Sequence, residues 1–326
     1  MRVTLREGIR RVLFEEMQKN QEMLMMGEAF YYTGSLFSKV ITPKFHLTYG
    51  KERILECPVA ENGIIGIAFG AALAGMTVVP EIWAADFLLC VGNEIVNDIP
   101  KWRYQHRYRE PIHMVIRAPM GLFSAGGGGP EHSQCTEAWL HNSPGLTIVA
   151  PSTVRDAMGL LRASLKCGDP VIFLEHRQVY DVEEEVEDTY FETELGKGRI
   201  VREGKDLTIV AWGMMALRAA RAADMLETEG IQAEVIDPRT IKPMDYQMIL
   251  ESVKKTGRLV VAEESPRTGS IAGEIMTRVA EGGAGTRMAR LTMPDLPYHY
   301  IPEYEASTVP SEKEIAAKAR ELLGMA

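Results

Sequence analysis

The sequence has few cysteines and no excess of positive charge, and both shortages restrict what the protein can be. Its four cysteines, Cys57, Cys90, Cys135 and Cys167, form neither a CxxC pair nor a disulfide-type framework, which predicts a reducing, cytoplasmic compartment. The formal net charge of -9 argues against nucleic acid as a main partner, because phosphate binding favours a basic surface. At 326 residues, 46% of them hydrophobic, the chain is long enough for two globular domains.

Charge is also missing from residues 63–80, and an uncharged run of this length first suggests a membrane span. The run is instead rich in Gly and Ala, ends at Pro80-Glu81 and has no flanking cluster of Lys or Arg. A buried helix followed by a strand explains it better. The N-terminus enters an amphipathic pattern directly, without a signal-peptide hydrophobic core, so we expect no membrane partner.

Hydrophobic periodicity predicts an α/β protein. Thr4 and Glu7 form a capping-box pattern that begins an amphipathic helix over residues 4–19. Residues 29–52 have the composition of a long ordered loop. The other elements predicted before residue 180 are strands at 22–26, 77–82, 113–117, 146–150 and 171–174, and helices at 63–75, 86–101 and 154–166.

An acidic run at 181–194 marks a change of composition, because like charges favour an extended, solvated segment. We place the domain boundary there, with residues 1–185 as the first domain, 186–194 as an acidic linker and 195–326 as the second domain. The second part alternates strands at 207–212, 233–236, 258–263 and 287–291 with helices at 215–229, 244–255 and 271–280. Such alternation predicts two domains, each a largely parallel sheet flanked by helices.

One carboxylate, Glu61, stands at the start of the uncharged run. Burying a charge beside an apolar helix is costly, so a charged residue kept at such a place is a candidate for a functional role. Gly66, Gly70 and Ala74 recur every four positions and give the predicted helix a flat face for close approach of another backbone. From the pattern alone, Glu61 is equally explained as a helix N-terminal residue that suits the helix dipole.

The stretch Pro58-Val59-Ala60-Glu61-Asn62-Gly63 resembles the cofactor-activating segment of thiamine-diphosphate enzymes. Along nearly its whole length the chain is similar to the β subunit of the decarboxylating component of 2-oxo acid dehydrogenase complexes, of the pyruvate, branched-chain or acetoin type. The supporting segments, specific by their order and spacing, are Met26-Gly27-Glu28, Glu81-Ile82-Trp83-Ala84-Ala85-Asp86-Phe87, Glu131-His132-Ser133-Gln134, Pro144-Gly145-Leu146, Val149-Ala150-Pro151-Ser152 and Asp237-Pro238-Arg239-Thr240.

The resemblance implies a pyrimidine-binding domain, a transketolase C-terminal-like domain and thiamine diphosphate as cofactor. Such enzymes usually hold the diphosphate through Mg²⁺ with a Gly-Asp-Gly motif and downstream asparagines, and this sequence has no Gly-Asp-Gly. The resemblance, together with this missing motif, therefore implies an α subunit that supplies the Mg²⁺ and diphosphate site. It also implies a heterotetramer of two α and two β chains, and a lipoyl acyltransferase core as a further partner.

The resemblance assigns cofactor and catalytic roles to five residues. It implies that Glu61 binds N1′ of the aminopyrimidine, where a carboxylic acid in an apolar site helps remove the thiazolium C2 proton. Val59, Trp83 and Phe87 match pocket-lining positions, although a smaller or polar residue is more usual at Trp83, and plain core packing would also explain Phe87. His132 matches a histidine implied to assist protonation and acyl transfer to lipoamide.

Two sequence patterns near His132 are weak indicators of a ligand site. Residues 126–129 are four glycines without a Walker lysine or a complete GxGxxG, so they predict an active-site loop rather than a phosphate loop. His132 and Cys135 show HxxC spacing, but two ligands are too few for structural zinc. Some family members hold a monovalent cation, which here implies a potassium site at Met114, Ser164, Leu165, Cys167 and Asp169, where Cys167 replaces the usual acidic side chain.

The resemblance implies one reaction and leaves alternative functions open. We expect thiamine-diphosphate-dependent oxidative decarboxylation of a 2-oxo acid, with acyl transfer to lipoamide. His132-Ser133-Gln134-Cys135 followed by Ala138-Trp139 favours pyruvate over an acetoin or branched-chain substrate. The alternatives are a transketolase-like or deoxyxylulose-phosphate-synthase-like half, and a non-catalytic assembly subunit of the same fold.

Overall fold

The structure is a computed structural model that describes residues 1–31, 41–107, 110–283 and 285–325. Part of the loop predicted at 29–52, residues 32–40, lies outside the described residues. The chain divides into two compact units. The first comprises Met1–Met120, Leu140–Glu175 and Val179–Leu195, and the second comprises Gly121–Trp139, His176–Gln178 and Gly196–Ala326. Among the described residues, no helix combines the length and apolar character that a membrane span needs.

Helices and strands follow one another along both units. Up to residue 185 they are β1 Arg2–Thr4, α1 Leu5–Lys19, β2 Met23–Gly27, α2 Phe45–Tyr49, β3 Ile54–Glu56, α3 Glu61–Leu73, β4 Thr77–Pro80, α4 Trp102–Gln105, β5 Val115–Met120, α5 Glu137–His141, β6 Thr147–Val149, α6 Val154–Lys166, β7 Val171–His176 and β8 Glu183–Glu185. The remainder are β9 Arg199–Arg202, β10 Leu207–Val210, α7 Met214–Glu227, β11 Ala233–Asp237, β12 Thr240–Lys242, α8 Tyr246–Thr256, β13 Arg258–Pro266, α9 Ile271–Glu281, β14 Arg287–Met293, α10 Pro302–Thr308 and α11 Glu312–Leu323.

Parallel strands form the sheet of the first unit. β2 lies between β3 and β4 and is parallel to both, while β7 lies between β6 and β5 and is parallel to β6. Parallel bridges between Val78 and Met114, and between Glu81 and Arg117, connect the two groups of strands. Every residue of β5 and β7 is buried, as expected for parallel strands that are covered on both faces.

The capping box at the first helix is confirmed. The Thr4 side chain accepts from the Glu7 backbone N–H, and the Glu7 carboxylate accepts from the Thr4 backbone N–H at 2.8 Å. This reciprocal pair satisfies two backbone donors at the helix start. The apolar stripe of α1 is buried: Leu5, Ile9, Val12, Leu13 and Met17.

The single helix predicted at 86–101 is wrong. The segment is instead a 3₁₀ turn at Ala85–Val91, a π turn at Glu94–Asp98 and a second 3₁₀ turn at Ile99–Lys101. Pro100 lies in the last turn, where it lacks a backbone N–H and its ring opposes a regular α-helix. Irregular helical turns therefore replace one continuous helix.

The second unit has a five-stranded sheet in the order β14-β13-β10-β11-β9. Every pair is parallel except β11 with β9, which is antiparallel. α11 buries Ile315, Ala316 and Ala319 in the same core cluster as Ala219 and Ala222 of α7. The sequence did not predict α10 and α11, but the α/β class with mostly parallel sheets is confirmed.

Candidate active site

Glu61 is the first residue of α3, and its N-cap residue Ala60 offers no side-chain hydrogen bond. The carboxylate therefore lies at the positive end of the helix dipole. The face of α3 that carries Gly66 and Gly70 is open within the described chain, since a Cβ added at either glycine would meet no atom within 4 Å. Ile67, on the same helix, is 62% exposed.

A second carboxyl group, Glu28, interacts electrostatically with Glu61. Glu28 directly follows β2, and its Oε1 is buried without a hydrogen-bond partner among the described residues. Burial, and then the charges of Glu61 and Glu81, raise the pKa of Glu28 to about 7. A carboxyl group with this pKa exchanges its proton near neutral pH.

In the sequence, Glu28 is part of the Met26-Gly27-Glu28 segment, and the pattern alone predicts no chemical role for it. Its position at the carboxyl end of a parallel strand was a usable signal, because ligands of open α/β sheets bind outside those ends.

Glu28 also lines a cavity of about 360 Å³ together with two predicted pocket residues, Val59 and Trp83. The other lining residues are Ala29, Glu56, Cys57 and Pro58. Phe87, the third predicted pocket residue, is partly buried on the adjoining 3₁₀ turn and is not one of the lining residues. An apolar wall beside this carboxyl oxygen suits a ligand with an apolar body and a polar edge.

The side chain of Trp83 is held by the interior of the first unit. Its Nε1 donates a hydrogen bond of 2.5 Å to Glu81, and the other oxygen of that buried carboxylate accepts from Arg117. Arg117 lies 36 positions from Glu81, so this network could not be predicted from the sequence and only the tertiary fold brings the two side chains together.

His132 lies in the second unit, on the loop that follows β5. The side chain is exposed, and the residue's carbonyl oxygen accepts a hydrogen bond of 2.8 Å from Arg177 Nη1. The same Nη1 donates to the Gly121 carbonyl at 2.7 Å, and the guanidinium lies over the Phe123 ring at 4.4 Å. The backbone at His132 is therefore anchored while its imidazole remains accessible.

Cys135 is grouped with a different histidine, His176, and with Glu264. All three are buried, and their possible ligand atoms lie within 4.8 Å of one another. The Gln178 backbone N–H donates to His176 Nδ1 at 3.2 Å, so Nε2 carries the proton and donates to Glu264 at 2.7 Å. Both ring nitrogens are thus engaged, which favours a buried hydrogen-bonded pair over a metal centre.

The positions implied for potassium lie around the end of α6 in the first unit. The Cys167 thiol is 3.4 Å from the Ser164 carbonyl oxygen and 3.2 Å from that of Asp169. Carbonyl oxygens are suitable ligands for a monovalent cation, but here the thiol itself lies between these two. The Met114 carbonyl already accepts the Val171 N–H at 2.9 Å, and Leu165 is buried.

Comparison with known proteins first defines the class. Residues 1–182 match the family model described as "Transketolase, pyrimidine binding domain", and residues 196–315 match "Transketolase, C-terminal domain". A solved structure described as "Split gene transketolase, inactive beta4 tetramer" shares the fold, with a TM-score of 0.80 at 24% identity over 99% of each chain. The protein is thus of the transketolase-like class.

Full-length relatives define the family within that class. The chain is 38% identical to "Pyruvate dehydrogenase E1 component subunit beta-2, mitochondrial" of Oryza sativa, over 98% of this chain and 85% of the relative. It is 35% identical to "2-oxoisovalerate dehydrogenase subunit beta" of Bacillus subtilis, over 97% of each. It is 34% identical to "Acetoin:2,6-dichlorophenolindophenol oxidoreductase subunit beta" of Cupriavidus necator, over 99% of this chain and 98% of the relative.

The chain belongs to the family of β subunits of the thiamine-diphosphate-dependent decarboxylating component of 2-oxo acid dehydrogenases. This confirms the resemblance drawn from the sequence. Membership as a β subunit implies an α partner. The pyruvate, branched-chain and acetoin relatives have similar sequence identities to this chain, so the comparisons show the family but do not distinguish among these three substrates.

Proposed function

We propose that this chain, assembled with an α subunit, catalyses oxidative decarboxylation of a 2-oxo acid, with pyruvate favoured, and passes the acyl group to lipoamide. The observation that carries the proposal is the carboxylate of Glu61 at the first turn of α3. It is coupled in charge to Glu28, which lines the apolar cavity shared with Val59 and Trp83.

Each of these residues has a defined task in the proposal. Thiamine diphosphate, when bound, supplies a nucleophilic carbon for attack on the substrate's 2-oxo group. Glu61 holds a proton at the aminopyrimidine edge, Val59 and Trp83 line the cavity for the ring, and Phe87 positions the ring. His132, exposed on an anchored loop, donates a proton during acyl transfer.

The remaining half of the site belongs to the partner in this proposal. Because the sequence has no Gly-Asp-Gly, the α subunit holds Mg²⁺ and the diphosphate. The open glycine face of α3 suits contact with another subunit in a heterotetramer of two α and two β chains. We retain the division into residues 1–185, the linker 186–194 and 195–326, with the second domain serving assembly and docking of the acyltransferase core.

The test begins with the tagged chain purified from its native host together with whatever accompanies it. Decarboxylation is assayed with a dye acceptor on pyruvate, 3-methyl-2-oxobutanoate, 2-oxoglutarate and acetoin, with and without thiamine diphosphate and Mg²⁺. We expect a stoichiometric partner containing Gly-Asp-Gly, and cofactor-dependent turnover that is highest with pyruvate.

Two other outcomes would change the proposal. A higher kcat/KM on 3-methyl-2-oxobutanoate or acetoin would keep the family chemistry and replace the substrate. A chain that forms the complex but supports no turnover on the whole panel would instead identify a non-catalytic assembly subunit.

A further inference from the structure

A buried carboxylate in α10, Glu305, binds the glycine-rich loop at three points. It is completely buried, with a relative exposure of 0%. Its Oε2 accepts the Gly127 N–H at 2.7 Å, and its Oε1 accepts the Gly129 N–H at 2.9 Å and the Ser133 hydroxyl at 2.6 Å. All three donors belong to the loop that also carries His132.

The backbone of this loop is shaped to hold an anion. Gly126, Gly127 and Gly129 have φ values of 70°, 82° and 69°, in the region that side chains other than glycine disfavour. Turns of this kind direct backbone N–H groups toward a common centre and form an anion-binding concavity. The backbone donors of this loop are thus occupied by the protein's own carboxylate.

Residues 300–302, just before and at the start of α10, pack closely against the glycines of the loop and leave little room for another loop conformation. A Cβ at Gly126 would lie 2.5 Å from Pro302 Cβ, and a Cβ at Gly129 would lie 2.3 Å from the Tyr300 ring. Arg177 Nη1 also binds the His132 carbonyl at 2.8 Å. The chain is therefore held at the His132 carbonyl by Arg177 and at the hydroxyl of the next residue, Ser133, by Glu305.

We propose that Glu305 is a positioning residue for the reaction: its carboxylate sets the conformation of the 126–133 loop and thereby the place of the His132 imidazole. This inference rests on the proposed function for the role of His132. Glu305 itself need not touch substrate or cofactor. Replacing the Glu305 carboxylate should increase the mobility of the loop and lower the rates of only those steps in which His132 takes part.

The first test measures the loop without any assay of turnover. Glu305→Gln keeps the shape of the side chain but places an NH₂ group where loop donors require an acceptor. Hydrogen exchange of peptides spanning residues 121–133 should become at least about tenfold faster in the assembled complex, because charge-assisted hydrogen bonds to a buried acceptor are lost. Glu303→Gln is the matched control, since Glu303 is exposed on the same helix and should leave exchange unchanged.

The second test is a double-mutant cycle on acyl transfer to lipoamide. If Glu305 acts through His132, Glu305→Gln should lower kcat/KM about tenfold or more in the wild type but less than about twofold in the His132→Asn background. Should Glu305→Gln fail to assemble, Ser133→Ala removes one of the three contacts and replaces it in both tests.

The outcomes separate this inference from the proposed function. Unchanged exchange in Glu305→Gln, or an equal loss of rate in both backgrounds, would overturn the positioning role. Faster exchange in Glu305→Gln, together with an assembled wild-type complex that turns over no 2-oxo acid, would instead retain the loop contact and refute the proposed reaction.

Discussion

The guanidinium of Arg117 binds the carboxylate of Glu175 through two parallel hydrogen bonds, 2.6 Å from Nε to Oε1 and 2.9 Å from Nη2 to Oε2. Its Nη1 donates to Glu81, and Tyr180 donates to Glu175 at 2.6 Å. Arg117, Glu81 and Glu175 are each at most 1% exposed. One buried guanidinium therefore binds two buried carboxyl groups, one of which, Glu81, also accepts from Trp83.

Arg117→Met should strongly destabilise the first unit. Removing one partner of a buried ion pair leaves charge without compensation, which costs about 3–5 kcal/mol in the free energy of unfolding. Urea denaturation measures the loss. The control is Arg2→Met, whose exposed ion pair with Glu183 should contribute less than about 1 kcal/mol. A loss of that small size in Arg117→Met would contradict the assignment.

The same variant should show a characteristic pH dependence. Burial raises the pKa of Glu175 above its ordinary value, and Arg117 opposes this. Without Arg117, the pKa in the folded state rises further above the unfolded value, so the folded state binds more protons and stability falls as pH rises. We expect the deficit relative to wild type to be larger at pH 8 than at pH 5, and a pH-independent deficit would argue against it.

Glu28→Gln should remove a pH-dependent destabilisation. The pKa of Glu28 is about 7 in the folded protein against an ordinary 4.5, so wild-type stability declines across that interval as the group ionises. The difference in Tm between variant and wild type should therefore increase from pH 5 to pH 8 in favour of the variant. Glu22→Gln, at an exposed position before the same strand, should give a constant difference. Parallel curves for Glu28→Gln and wild type would refute the raised pKa.

Glu61→Ala should reduce turnover of the assembled enzyme by about a hundredfold or more, the usual loss when an acid–base group is removed. Its Tm should change little, because a charge near a helix N-terminus contributes only about 0.3–1 kcal/mol. Glu52→Ala removes an exposed glutamate nearby and should keep full activity. Normal turnover of Glu61→Ala in the complex would show that the proposed mechanism is wrong.

His132→Asn should separate two assays. We expect decarboxylation with a dye acceptor to remain substantial while acyl transfer to lipoamide falls by about a hundredfold, because the proposed proton donor serves the second process. Glu131→Gln, its exposed neighbour, should affect neither assay. Equal losses in the two assays would reject that division of labour.

Potassium should stabilise the first unit if the carbonyls of Ser164 and Asp169 bind it. A cation that binds only the folded state raises Tm with concentration by mass action. Tm is measured in KCl and in choline chloride at the same ionic strength, with Cys167→Asp expected to enlarge the difference by adding a charged ligand. Identical curves in the two salts would remove the site from consideration.

Local features of this protein could be predicted from sequence because they depend on near neighbours in the chain. The capping box of Thr4 and Glu7 involves four consecutive residues, and the alternation of strands and helices follows from hydrophobic periodicity. The segment 86–101 shows where such prediction fails. Its periodicity predicted one continuous helix, although Pro100 within it disfavours a regular α-helix. Val59 and Trp83 were selected from the resemblance, and the structure brings them to one cavity.

The sequence by itself determined the α/β class, the family and the identity of the candidate acid Glu61. Tertiary structure alone decided the partners of the buried charges. Glu305 and Gly127 are 178 positions apart, and Arg117 and Glu175 are 58 apart. No periodic or local signal connects such pairs, because their contact depends on how distant strands and helices pack. Burial then makes the pairing specific, since a carboxylate removed from water requires donors at defined positions.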